Sequence, residues 1–105
     1  MTSRRMSVFL DRTADTPTFR ILEYFLEARE TDHAVGDVLE ATDLARSTFY
    51  TAWPRLLENG YVAQSRLVGK TRLYMLNTKN PYTLLFVKVF DLALHERPKK
   101  KRLTI

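Results

Sequence analysis

The architecture is decided by residues 35–72, VGDVLEATDLARSTFYTAWPRLLENGYVAQSRLVGKTR. The beginning of this stretch predicts a short helix from Val35 to about Ala41, with Val38 and Leu39 facing inward and no good cap at its start. Thr42-Asp43-Leu44 makes a tight turn, and Leu44 is the apolar plug tucked between the helices it joins. A longer helix follows over 46–59. Its Phe49, Trp53, Leu56 and Leu57 recur at i, i+4, i+7 and i+8 and form a buried stripe. That spacing leaves Arg46, Ser47, Thr48, Tyr50, Thr51 and Arg55 on the exposed side. Gly60 ends the helix, because glycine takes the left-handed conformation a helix stop requires. A hairpin comes next, with strands at 61–66 and 72–76 and a basic tip at 67–71.

The flanks build outward from this unit. Thr16 caps an earlier helix and Pro17 takes its first position, where a missing N–H costs nothing. Ile21, Leu22, Phe25, Leu26 and Ala28 give that helix an apolar face, and Glu23, Glu27 and Glu30 mark its solvated side. Thr31-Asp32-His33 breaks the pattern. Residues 6–10 form a short apolar run, read as an arm that packs on the domain or on a partner chain. Asn80-Pro81 repeats the cap-plus-proline start and opens a last helix to about Glu96. This helix is apolar on nearly all sides, so it needs a second partner surface. Tyr82, Leu85, Phe86, Val89 and Leu92 are its expected dimer contacts. The division is an arm at 1–15, a core unit at 16–79, a dimerisation helix at 80–96 and a basic tail at 97–105.

With 105 residues the chain has room for one domain, but not for an added catalytic or sensor domain. Its 45% hydrophobic and 28% charged residues are globular values. No apolar run reaches the roughly 18 residues of a membrane span, and no secretory signal is expected. The sequence has no cysteine, which excludes disulfides and thiolate metal sites and fits a cytoplasmic protein. His33 and His95 lie far apart, without neighbours at ligand spacing, and read as surface or interface residues; no metal and no cofactor are expected. No phosphate-cradling glycine loop or nucleophile motif is present, so an enzyme is not expected.

The net charge of +5 is sorted along the chain. Residues 1–20, 21–43, 44–79 and 80–105 carry balances of +2, −6, +5 and +4. The bases gather on the 46–59 helix, the hairpin and the tail. The acids gather on the two preceding helices. A phosphate-binding face needs this separation, because cations displace condensed counterions and nearby carboxylates oppose them.

Helix, turn, helix and basic hairpin, in that order, form a winged helix-turn-helix, which presents one helix to the major groove and a loop to the flanking backbone. The expected fold is mainly α with a small β-hairpin wing and an added C-terminal dimerisation helix. Ala45-Arg46-Ser47-Thr48-Phe49-Tyr50 and Leu56-Leu57-Glu58-Asn59-Gly60-Tyr61-Val62 resemble the recognition helix and first wing strand of winged helix-turn-helix regulators. Residues 69–77, GKTRLYMLN, resemble their wing and second strand. Taken whole, residues 16–95 are similar to small archaeal winged-helix transcription regulators of the broad MarR/ArsR-like group. The resemblance implies a cytoplasmic homodimer that binds operator DNA. Two residues depart from the pattern. Ala45 stands where a Ser or Thr cap is usual, which makes Ser47 the expected cap of a shortened helix. Pro54 lies inside the helix, where it costs about 3 kcal/mol unless the helix kinks and re-aims Arg55.

The expected function is sequence-specific binding of double-stranded DNA for transcriptional control. Ser47, Thr48, Tyr50 and Thr51 would meet bases or phosphates, and Arg46 and Arg55 guanine edges or phosphate. Arg66, Lys70 and Arg72 would meet backbone or minor groove. The plainer alternatives are a solvated helix face and a charged hairpin tip that keeps the molecule in solution. Trp53, Tyr61 and Tyr74 are read as packing residues. Two other functions fit the same elements: a winged-helix protein-interaction or assembly module, and an architectural or plasmid-partition DNA-binding protein.

Overall fold

Two hydroxyl caps start the molecule. In the computed structural model, which describes residues 7–96, the Ser7 hydroxyl accepts a hydrogen bond from the Leu10 N–H and opens α1 (Val8–Arg12). Thr16 does the same for Phe19 and, with Pro17 behind it, opens α2 (Pro17–Glu27). Of the two readings of the run at 6–10, its described part takes the first: it packs on the domain, as a short helix. Phe9 and Leu10 are buried in the core, and Phe9 packs edge-on against Phe19 at 6.1 Å and Phe90 at 5.8 Å. Met6 and residues 97–105 lie outside the described residues.

α2 buries Ile21, Leu22, Phe25 and Leu26, the face its spacing predicts. Glu23 is not on a fully solvated side: it is half-buried and accepts the Ser7 hydroxyl at 2.6 Å. After α2 comes a strand the sequence did not announce, β1 (His33–Ala34). Two residues are too few to show alternation. They are held by pairing, His33 opposite Tyr74 and Ala34 opposite Leu73. His33 is also less exposed than expected. Its ring nitrogens lie 2.9 Å from the Tyr24 hydroxyl and 2.9 Å from the Thr31 hydroxyl. Burial, with the charge of Asp37, raises the Tyr24 pKa above its ordinary value.

α3 (Val35–Thr42) starts without a side-chain cap, as expected. Asp43 ends it in the left-handed region at φ 56°, and Leu44 packs against the core. α4 (Arg46–Glu58) begins directly after Ala45, which supplies no capping side chain. Ser47 thus lies inside the helix and does not shorten it, contrary to expectation. The helix runs through Pro54, whose ring is exposed. Phe49, Ala52, Trp53 and Leu56 are buried, while Leu57 is half-buried. Trp53 stacks on Phe49 at 5.6 Å and meets Tyr74 edge-on at 5.1 Å, which makes it a packing residue. At the other end, the Gly60 N–H donates to the Leu57 carbonyl and the Tyr61 N–H to the Leu56 carbonyl, with Gly60 at φ 76°. These paired bonds satisfy the last carbonyls of the helix.

The hairpin is longer and its tip tighter than predicted. β2 (Val62–Val68) and β3 (Thr71–Leu76) pair antiparallel to the end, Val68 opposite Thr71. Leu67, Val68 and Thr71 belong to strands, and only Gly69-Lys70 forms the turn. Gly69 at φ 62° provides the backbone that a two-residue connection demands of its first residue. A register shift between Gln64 and Arg66 leaves Ser65 as an extra residue. With β1 the sheet has three antiparallel strands in the order β1-β3-β2.

Asn80 caps α5 (Pro81–Leu94) by accepting from the Tyr82 and Thr83 N–H groups. The helix expected to be apolar on nearly all sides is covered by its own domain on one face only. Thr83, Phe90 and Ala93 are buried in the core, and Val87 and Val89 pack against it. Phe86, expected at a dimer contact, packs edge-on against Phe19 at 5.6 Å and Tyr61 at 5.2 Å within its own chain. Ion pairs secure the edges: Arg29 with Asp91 at 2.7 Å and Arg12 with Glu96 at 2.7 Å. The hydrogen bond from Arg29 holds Asp91 below its ordinary pKa. The outer face keeps Tyr82, Leu84, Leu85, Leu92 and Leu94 exposed. Among the described residues the protein is therefore a mixed chain of five helices and one small antiparallel sheet.

Candidate nucleic-acid interface

The outer side of α4 carries Arg46, Ser47, Thr48, Tyr50, Thr51 and Arg55, and every one of them is exposed. Burial of Phe49, Ala52, Trp53 and Leu56 on the opposite side fixes this orientation. The Arg46 guanidinium lies over the Tyr50 ring at 5.6 Å, one turn along. Tyr50 in turn rests edge-on against the buried Phe49 at 5.1 Å. The Thr51 hydroxyl donates to the Ser47 carbonyl at 2.9 Å, so its hydrogen is spent inside the helix and its lone pairs face outward as acceptors. Because Ala45 offers no capping oxygen, the first N–H groups of α4 have no side-chain partner. An anion near that end meets the positive pole of the helix with Arg46 beside it.

The hairpin cations divide into two groups. Lys70, in the turn, and Arg72, near the start of β3, are exposed and make no ion pair among the described residues; the same holds for Arg46 and Arg55. Arg66 is committed. Its Nε lies 2.8 Å and its Nη2 3.4 Å from the two carboxylate oxygens of Asp32, and Ser65 donates to the same carboxylate at 2.7 Å. These hydrogen bonds, from Arg66 first and Ser65 second, lower the Asp32 pKa from 3.8 to about 2. Asp32 also raises the Arg66 pKa. The clasp joins the α2–β1 connection to β2 at the register shift.

Sequence reasoning missed Asp32 as part of this region. The only trace was its charge, thirty-four positions from Arg66, and no local spacing links the two. It also missed the joint between α4 and α5. There, the Asn80 Nδ2 donates to the Asn59 carbonyl at 2.8 Å and the Asn77 Nδ2 to the Gly60 carbonyl at 2.9 Å.

Among the described residues no group of three His, Asp or Glu side chains is placed to hold a metal ion, and no helix is long and apolar enough to cross a membrane. Compared with protein-family models, curated proteins and solved structures, the chain matches none.

Proposed function

We propose that this chain is a winged helix-turn-helix regulator that binds specific sites on double-stranded DNA as a homodimer. The observation that carries this reading is the partition of α4. One side is buried on Phe49, Trp53 and Leu56, and the other offers two Arg that make no ion pair among the described residues and four hydroxyl side chains to a partner. In this account α4 enters the major groove, where Thr48, Tyr50 and Thr51 meet base edges. The outward lone pairs of Thr51 suit the amino groups of adenine or cytosine. Arg46 and the uncapped start of α4 take a phosphate, and Lys70 and Arg72 reach the flanking backbone. Arg66 contributes only where phosphate displaces Asp32.

The dimer would form on the outer face of α5, where Leu85 and Leu92 are 59% and 67% exposed beside Tyr82. Val89 flanks this stripe, while Phe86 belongs to the protomer's own core. That same apolar face favours one rival, a winged-helix assembly module whose α5 docks a different protein. A footprint over random and genomic DNA separates the readings. The regulator protects discrete sites, an architectural protein coats all sequences, and an assembly module protects none.

A further inference from the structure

We propose that Asn80 is a positioning residue that sets the distance between the two DNA half-sites, an inference that rests on the dimeric DNA-binding reading above. If α5 pairs with its copy and α4 reads the groove, the angle between α4 and α5 fixes where the second α4 arrives. The end of α4 and the start of α5 lie at one joint, and Asn80 spans it with both ends of its amide. Its Oδ1 accepts from the N–H groups of Tyr82 and Thr83, at 2.7 and 3.3 Å, and so belongs to the start of α5. Its Nδ2 donates to the Asn59 carbonyl, at the end of α4, at 2.8 Å. Asn77 adds a parallel tie from its Nδ2 to the Gly60 carbonyl and from its N–H to the Tyr61 carbonyl, each at 2.9 Å. The fit is close, since a Cβ on Gly60 would lie 2.8 Å from the Asn80 Nδ2.

The leverage is large at this point. α4 is 13 residues long, about 20 Å at 1.5 Å per residue. A change of about 10° in the angle between α4 and α5 at the Asn59 end displaces the Arg46 end, relative to α5, by about 3.5 Å, which is about one base-pair step. The contacts of Phe86 and Phe90 hold α5 further along its length. Asn80 pins the start.

Two variants separate the tie from the cap. Asn80→Ser keeps a good capping oxygen and removes the donor. Asn80→Asp keeps the cap and sets a carboxylate oxygen toward the Asn59 carbonyl. Each full-length variant is compared with wild type in selection from duplexes that carry two half-sites at every spacing. Sedimentation, a melting curve and a salt series on a single half-site accompany the selection. The expected result is that both variants remain folded dimers with unchanged half-site affinity and salt slope. Their preference for the best spacing over its neighbours falls threefold to tenfold, roughly the span of one ordinary hydrogen bond. Folded, dimeric variants with the wild-type spacing profile would overturn the proposal. Loss of the folded state in both variants also overturns it, because Asn80 would then hold the fold and not tune a distance. A wild-type chain that is monomeric or shows no preferred spacing overturns the dimeric reading itself and the proposal with it.

Discussion

Asp32 and Arg66 form the strongest pairing of side chains near the hairpin, and the pair makes two predictions. The Asp32 pKa is lowered to about 2, so its contribution to stability is complete above the ordinary value near 3.8. That contribution is lost as the pH falls from about 4 toward 2. Asp32→Asn should therefore remove part of the acid sensitivity of unfolding in that window, measured by urea titration at stepped pH. The same change frees Arg66. If the hairpin lies along DNA, the salt slope of binding should steepen by about one unit, with random DNA gaining affinity. An unchanged slope would mean that Arg66 never reaches phosphate. Thr83 makes a separate prediction. It is fully buried and its hydroxyl has no hydrogen-bond partner among the described residues. Thr83→Val keeps the shape and removes the stranded polar group, so stability should rise by about 1 kcal/mol in denaturant unfolding.

At the scale of elements, the proposed reading gives base edges to α4 and phosphate to the hairpin. Tyr50→Phe keeps the ring on Phe49 and under Arg46 and removes only the hydroxyl. It should lower discrimination between a specific and a scrambled duplex by about 1 kcal/mol or more, with the salt slope unchanged. Lys70→Ala should weaken both duplexes together and reduce the slope by about one. If Lys70→Ala changes neither affinity nor slope, the turn does not touch DNA. Helices with local signals were legible in the sequence: Thr16-Pro17 and Asn80-Pro81 start α2 and α5, and Gly60 stops α4. Elements held by distant partners were not. α1 has five residues and depends on Phe9 meeting Phe90, and β1 has two and depends on β3. The extra residue at Ser65 shifts the alternation of β2, which hid Leu67 and Val68 as strand residues. The exposed side of α4 was legible because its buried stripe was. The diversion of Arg66 to Asp32 was not, because that pairing exists only once the sheet has formed.

For the whole molecule, the deciding feature is the two-faced α5. Its inner face completes the core through Phe86 and Phe90, and its outer face leaves Leu85 and Leu92 in water. Replacing both leucines by lysine should leave the protomer folded, since neither is buried, and should yield a monomer by sedimentation. The monomer should bind a single half-site much as before but lose tight binding to paired sites. A wild-type chain that sediments as a monomer at all concentrations would contradict the dimer.

Recognition of specific double-stranded DNA stands or falls on selection from a pool of random duplexes. The full chain at low salt should enrich one near-palindromic site whose half-sites lie about 10 base pairs apart, or a multiple of that. Recovered duplexes that match the starting pool, with no shared sequence, would contradict it.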